Sequence, residues 1–486
     1  MDRRGGPPPL ARSVLVVAAA VTGGLLLLAG RYGPHRDELY FVSAGDRLAW
    51  GYPDQPPLTP AIAALADSVA PGSLTVLRLT SAVIIGLVVV LAAHTARELG
   101  GGTAAQFLTA VVVASGAVFL VLGHLLSTAT FDLLVWSTIL FLAVVALQRD
   151  RPRLWLLVGA VAGVGLLNKH LVLVLLGSLF LALLVDPRAR HHLRTPWPYA
   201  GGAVALALWL PNLLWQAKHG WPQLELGADI REEYSTAAER IGYVALQLLQ
   251  VSPLATAIWA FGVVVLIRDD RFHRVRPLAW TYAIALVVFA VSGGKAYYLA
   301  GLMPSLVAVG AVALEARWPA RRMTTLTIAA AAVALVGVPI ALPVLPASAF
   351  ASSPYAAIGE DQAEMLGWPE LAQSVREVAR DLPDGTVAFT GNYGEAGALE
   401  WYHVGLPVYS GHNGFGAWGP PPEGAGPVVV LGYGNAGVDF DDCEQVATVD
   451  SGLDLDNEEQ GGPIFVCSGP RGGWAAAWPR LTHLDA

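Results

Sequence analysis

Apolar runs broken by short arginine-bearing segments dominate the first 345 positions of this 486-residue chain. A helix that crosses a membrane needs about 20 mostly apolar residues, within a range of about 17–25. Runs of this kind occupy 12–30, 75–96, 104–122, 127–147, 154–167, 171–185, 200–215, 241–267, 278–292, 297–315 and 323–345. They predict about eleven transmembrane helices. Taken as one helix, 154–185 would run about 48 Å through a hydrocarbon core of roughly 30 Å. The pattern therefore predicts a hairpin broken at Asn168-Lys169-His170, with Lys169 recessed below the outer surface.

Beyond 345 the period changes. The stretch 368–381 reads as an amphipathic helix, 386–389 as a strand, 395–403 as a helix and 428–431 as a strand. Such alternation predicts a small α/β domain. The predicted fold class is thus an all-α polytopic membrane domain over 1–345, followed by an α/β domain over 346–486. The turn Thr390-Gly-Asn-Tyr-Gly394 joins a strand to a helix, where an anion site or a plain tight turn is expected. The Gly/Pro-rich stretch 411–426 is expected to be a long aromatic loop.

Composition agrees with a membrane protein. Charged residues make up 14%, against roughly 25% in soluble domains, and mean hydropathy is +0.52. Disordered, collagen-like and disulfide-scaffold classes are excluded on the same grounds.

The net charge of −8 conceals a split. Residues 1–345 hold 26 Lys+Arg and 18 Asp+Glu, whereas 346–486 hold 4 and 20. So acidic a tail is no nucleic-acid binder. With the N-terminus inside, 17 of the basic residues fall in short inside segments, as the positive-inside rule requires. That orientation predicts a multi-pass plasma-membrane protein with its N-terminus cytoplasmic and the 346–486 domain extracytoplasmic. Both cysteines, Cys443 and Cys467, then lie on the oxidising side, in or beside strand-like runs. A Cys443–Cys467 bridge is expected there, two buried thiols being the alternative.

The first exterior loop concentrates chemistry. Asp37 and Glu38 follow the first span, and Asp54 sits in a proline-rich turn that fixes its direction. Acids beside a membrane mouth are expensive unless paired or used. Only three lysines exist, Lys169, Lys218 and Lys295. Lys169 and Lys295 occupy glycine- and aromatic-rich settings at the predicted outer face, and two cations there suit a phosphate. Snorkelling to the interface is the plainer reading of each lysine. Lys218 has the weaker context of an interfacial residue. Together these parts describe a lipid-linked phosphate held by lysines while a carboxylate deprotonates an acceptor hydroxyl.

The residues Asp37-Glu38, Gly51-Tyr-Pro-Asp-Gln-Pro-Pro-Leu58, Asn168-Lys-His170, Gly294-Lys-Ala-Tyr-Tyr298 and Thr390-Gly-Asn-Tyr-Gly-Glu-Ala-Gly397 carry a resemblance. Together they resemble bacterial glycosyltransferase family 39, within the GT-C membrane glycosyltransferases. Relatives include protein O-mannosyltransferases and the lipid A aminoarabinose transferase. The resemblance implies inverting transfer of a sugar from a polyprenyl-phosphate donor on the extracytoplasmic side. It implies Asp37 as base, with Glu38 and Asp54 as accompanying acids. It also implies donor-phosphate contacts from Lys169 and Lys295, with His170 and Tyr297 beside them in the same motifs. Gln55 stands where relatives carry a lysine, which puts that lysine's donor contact in doubt. The implied acceptor is an envelope glycan, a glycolipid or a protein hydroxyl. Members differ in using a divalent metal, so a metal is possible, although no His-rich or multi-carboxylate box is visible. The rival reading is a transporter or lipid-carrier flippase. It would favour inverted repeats and midplane charges. No repeat is visible, and the intramembrane Asp132 is the one acid such a protein would use; a helix-end contact is its plainer role.

Overall fold

The computed structural model describes residues 7–233, 236–453, 455 and 457–485. The chain forms two compact units. The first holds residues 1–29, 78–217 and 230–341; the second holds 30–77, 218–229 and 342–486. The second unit thus takes in the first loop and a short middle segment as well as the stretch from Leu342 onward.

The first unit is helical. Among the described residues, Leu74–Glu98, Thr128–Arg149, Ala296–Glu315 and Ala320–Ala341 are long and apolar enough to cross a membrane. The pair Thr103–Ser115 and Ala117–His124, bent by 59° between Ser115 and Ala117, makes up to five. The expected count of eleven is not reached on this measure, for two physical reasons. Several helices stop at the short limit: Arg12–Leu28 has 17 residues and Pro277–Ser292 has 16. The run 241–267 is not one helix, because Ala237–Leu246 ends before Pro253–Arg268 begins. The Ser252 hydroxyl accepts from the Ala255 N–H at 3.4 Å and Pro253 occupies the first turn, a helix-start signature inside an apolar run. The chain also breaks between Trp155–Leu166 and Val172–Val185, at the Asn168-Lys169-His170 position. The buried Asn168 amide anchors that break by donating to the Thr128 carbonyl at 2.7 Å.

Small residues set the helix spacing in this unit. A Cβ on Gly262 would strike the Leu306 carbonyl, and one on Gly310 would strike the Ile258 carbonyl. The helices Pro253–Arg268 and Met303–Glu315 therefore pack backbone to backbone. This is the expected solution where apolar lipid removes the hydrophobic drive to associate.

The second unit is built on a sheet. Among the described residues its strands are β1 Val387–Thr390, β2 Val408–Ser410, β3 Val428–Leu431, β4 Phe440–Asp441, β5 Glu444–Thr448, β6 Pro463–Cys467 and β7 Gly469–Pro470. Five of them form one sheet in the order β2-β1-β3-β6-β5. Strands β2, β1 and β3 run parallel, while β6 is antiparallel to both β3 and β5. The strands β1 and β3 are wholly buried, because both faces are covered. On one face Ala388, Val429 and Ile464 meet Leu371, Val375 and Leu399 from the helices Trp368–Ala379 and Tyr393–Trp401. On the other, Phe389 and Val430 meet Phe440, Trp474 and Leu481. A disulfide joins Cys443 to Cys467 with Cα atoms 4.1 Å apart. The stretch expected as a long loop contains a short helix, Asn413–Trp418, whose Phe415 is buried.

The first loop contributes the helices Arg36–Gly45 and Leu58–Val69. Leu39 joins the core of the sheet's helical face. Gly397 permits that approach, since a Cβ there would come 2.9 Å from the Leu39 backbone.

Candidate functional site

Strand β1 lies between β2 and β3, so successive crossovers leave its end in opposite directions. Crevices at such switch points, beyond the carboxyl ends of parallel strands, are where open α/β sheets bind ligands. The turn Thr390-Gly-Asn-Tyr-Gly394 sits there. Its helix N-terminus is already satisfied from within: the Asn392 side chain accepts from the Glu395 N–H at 2.9 Å. The Glu395 carboxylate in turn accepts from Gly391 and Asn392 at 3.1 and 3.2 Å. This capping box takes up the donors that an anion would need. The turn's contribution is instead Tyr393.

The Tyr393 hydroxyl donates to the Asp37 carboxylate at 2.9 Å. A second pair lies alongside, in which the Tyr40 hydroxyl donates to Asp54 at 2.7 Å. The two tyrosine rings are 4.9 Å apart between centroids. Tyr40 is buried, and its oxygen also accepts from the Gly414 N–H at 3.0 Å. Gly414 must lack a side chain, because a Cβ would collide with the Tyr40 hydroxyl. Each acid is therefore aimed by one tyrosine, and each tyrosine is locked by aromatic packing.

The surroundings set the charge. Burial pushes the Asp54 carboxyl up to about 7 against the opposing pull of the Tyr40 hydrogen bond, and the nearby Asp37 charge adds to the rise. Arg36 stacks over the Tyr393 ring at 5.1 Å and pairs with Glu458 at 2.9 Å. His35 caps the helix Arg36–Gly45: its Nδ1 accepts from the Asp37 N–H at 3.2 Å, and its Nε2 meets Glu364 at 2.9 Å. Glu38, expected among the catalytic acids, is fully buried and accepts from the His35 N–H at 2.9 Å. It acts as the reciprocal half of a capping box. Gln55 is likewise buried, beside the Tyr40 hydroxyl.

Lys169 and Lys295 belong to the helical unit. Lys169 sits in the break after Trp155–Leu166, half-buried. Its ammonium lies 5.1 Å from the ring centroids of both Tyr297 and Tyr298, and 3.4 Å from the Tyr297 hydroxyl. Two aromatic faces hold the cation by their quadrupoles. Asp132, inside the helix Thr128–Arg149 rather than at a solvated end, acts electrostatically on the same ammonium. His170 is engaged elsewhere. The Trp209 indole N–H is shared between His170 Nε2 at 3.2 Å and Asn212 Oδ1 at 3.1 Å. Lys295 stands at the head of the 3-10 turn Ala296–Leu302, half-buried, with no side-chain hydrogen bond or ion pair among the described residues. Lys169 and Tyr297 are thus brought together, while the hydrogen bonds of His170 go to Trp209 and Asn212.

Sequence reasoning passed over Tyr393, Tyr40 and Gly414. The one signal for Tyr393 is its place in a strand-to-helix turn, whose pattern points to backbone donors and not to the side chain. Among the described residues Asp37 and Asp54 do not converge with a third carboxylate or imidazole in a metal-holding group.

A family model described as dolichyl-phosphate-mannose-protein mannosyltransferase matches residues 54–215. The fold resembles that of ArnT from Cupriavidus metallidurans, solved in the apo state and bound to undecaprenyl phosphate. The TM-scores are 0.58 and 0.59, at 16% identity, over 82% of this chain and 84% of that one. Together with the sequence relative below, these findings support a GT-C glycosyltransferase family 39-like protein. In particular, the chain is 27% identical over 311 residues to the lipid A galacturonosyltransferase RgtD of Rhizobium johnstonii. That match covers 60% of this chain and spans 63% of the relative's length. Asp54, Lys169 and His170 lie inside the stretch matched by the family model; Asp37, Lys295, Tyr297 and Tyr393 lie outside it.

Removing the Tyr393 hydroxyl tests the aiming of Asp37. A hydrogen bond to a charged group contributes about 1.5–3 kcal/mol. Tyr393→Phe is expected to lower kcat by roughly 10–100-fold with the donor KM nearly unchanged. A shift confined to KM would contradict it.

Proposed function

We propose that this chain is an integral-membrane glycosyltransferase that moves a sugar from a polyprenyl-phosphate donor to an acceptor hydroxyl on the extracytoplasmic side. The observation that carries the reading is the pair of tyrosine-aimed carboxylates, Asp37 and Asp54, on a GT-C-like fold. The donor class is supported by the undecaprenyl phosphate in one ArnT structure, and a glycolipid acceptor by the lipid A in the name of RgtD. The N-terminus is placed in the cytoplasm, as the arginine distribution favours.

In this mechanism Asp37 takes the proton of the acceptor hydroxyl. The freed oxygen attacks the anomeric carbon, the bond from that carbon to the phosphate oxygen breaks, and polyprenyl phosphate leaves with the electron pair. One displacement inverts the anomeric centre. Lys169 stabilises the leaving phosphate, Lys295 adds a second positive charge, and Tyr297 holds the Lys169 ammonium. Asp54 carries no proton in the reaction. Ionised, it stabilises the positive charge that builds on the sugar ring as the phosphate departs.

That role gives a pH dependence. With the Asp54 carboxyl at about 7, kcat/KM should rise as pH passes through 7, and Asp54→Asn should remove that limb. The stability contribution has the opposite sign. The folded group binds its proton more tightly than the unfolded one, so Asp54 supports folding most at low pH. That support is lost as pH rises from about 4 to about 7. An unchanged pH–rate limb in Asp54→Asn would remove Asp54 from the site.

The whole reading is tested with purified protein in liposomes, supplied with polyprenyl-phosphate sugars and extracted envelope glycolipids. A new glycosidic linkage of inverted configuration is expected, detected by mass spectrometry and NMR. Movement of the lipid across the bilayer without a new linkage would establish the flippase instead.

A further inference from the structure

Within the helical unit, three connector residues meet outside the machinery described above. Asp150 ends the helix Thr128–Arg149 in a left-handed conformation, φ 50°. His191 and His192 sit in the 3-10 turn Arg190–Arg194. One ligand atom from each of the three lies within 4.8 Å of the others. His191 Nε2 is 2.9 Å from Asp150 Oδ1, and His192 Nε2 is 3.7 Å from the same oxygen.

The proton arithmetic of His191 is informative. Its Nδ1 lies 2.8 Å from the Arg188 carbonyl, so Nδ1 carries a proton. In the neutral ring Nε2 then presents a lone pair to a carboxylate 2.9 Å away, and two acceptors at that distance repel. A positive species belongs between them. His192 makes the same demand independently: it is 1% exposed, and among the described residues its Nε2 has no hydrogen-bond partner. A buried polar nitrogen without a partner is costly. Around these groups lies a cleft of about 240 Å³, also lined by Arg188, His273 and Arg274. His273 holds its Nδ1 against the Asp270 carbonyl at 2.6 Å, and among the described residues its Nε2 makes no hydrogen bond.

We propose that Asp150, His191 and His192 bind a divalent transition-metal ion of the zinc class. Zinc–nitrogen bonds of about 2.0 Å at tetrahedral angles place neighbouring ligand atoms about 3.3 Å apart. The observed 2.9 and 3.7 Å bracket that edge. Backbone-anchored Nδ1–H groups are the usual second-shell support of ligating imidazoles, and His191 and His273 both have them. The neighbouring Arg188 and Arg274 disfavour hard cations, which bind by charge through oxygen, so imidazole affinity must carry the binding. One bond is exchanged on loading. The Trp155 indole now donates to His192 Nδ1 at 3.2 Å, and with Nε2 on the ion that nitrogen takes the ring proton and the indole bond is given up. The ion would staple the end of one helix to a turn 41 residues further on. No His-rich box in the sequence marks this group, because the two histidines are adjacent and the carboxylate is remote.

The test uses full-length protein in nanodiscs, stripped with chelator, desalted and titrated with Zn²⁺ in the presence of millimolar Mg²⁺. About one zinc per chain is expected by elemental analysis, with at least tenfold weaker binding in His191→Ala and in Asp150→Asn. Those two residues are exposed, so their replacement spares the buried His192. Zinc should also raise the thermal midpoint of wild type more than that of either variant. Wild type that retains no zinc would overturn the site whatever the variants do, and would leave a protonated His191 as the bridging charge. Equal binding by wild type and both variants would overturn the ligand assignment.

Discussion

Asp37→Asn should abolish sugar transfer while the protein inserts and folds as wild type. General-base catalysis contributes about 10²–10⁴-fold, and kcat should fall by that order. The side chain keeps its shape, and its amide oxygen still accepts the Tyr393 hydroxyl that now lies 2.9 Å from the carboxylate. The lost property is therefore basicity rather than packing. The helix that carries it is secured elsewhere, by Leu39 in the sheet's core and by the His35–Glu38 capping box. Asp54→Asn is the matched control, because it removes a charge from the same centre without removing the base. It should act on the pH–rate limb near 7 and cost less at alkaline pH than Asp37→Asn. Equal losses from the two variants at all pH values would mean that the assignment of roles is wrong. Retained transfer in Asp37→Asn would remove the base altogether. Donor turnover is the readout, with circular dichroism and detergent size-exclusion as folding checks.

Much of this fold was legible because local chemistry and tertiary demand agree. The strand β3 occupies Val428–Leu431, where an apolar β-branched run is the pattern of a strand buried on both faces. The helix break expected at Asn168-Lys169-His170 is present, and the Asn168 amide there donates to the Thr128 carbonyl instead of continuing the helix. Other features were hidden for specific reasons. The split at Ser252-Pro253 is written in the sequence as a cap followed by proline, but it sits inside a hydropathy window that averages it away. Glu38 reads as one of two neighbouring acids, yet helix geometry turns it back onto the His35 N–H. Tyr393 meets Asp37 across 356 residues, a pairing that no periodicity or spacing encodes. The acids were readable as residue types; the groups that aim them were not, because aiming is a property of packing.

The second large effect concerns the leaving phosphate. Lys169→Met should lower kcat/KM for the donor by roughly 10–100-fold, which corresponds to the loss of one hydrogen bond between charged groups at about 1.5–3 kcal/mol. Methionine retains the aliphatic stem and removes only the ammonium. That ammonium sits 5.1 Å from two tyrosine rings and 3.4 Å from the Tyr297 hydroxyl, so its direction is fixed before any donor arrives. Pre-fixing is what makes its charge effective, since little side-chain entropy remains to be lost on binding. Arginine is then a poor substitute. Its planar fork is wider than a point charge held between two rings, and Lys169→Arg should recover only part of the activity. Tyr297→Phe should weaken donor use less than Lys169→Met, because the ring and its attraction for the cation remain. Lys295→Ala gives the complementary measurement. Lys295 has no competing partner among the described residues, so its ammonium is available to the phosphate, and donor KM should rise while acceptor KM holds. Kinetics with donor and acceptor varied separately decide the matter. A defect in acceptor KM alone, in either lysine variant, would place that lysine on the acceptor side and leave the phosphate to be held by other groups.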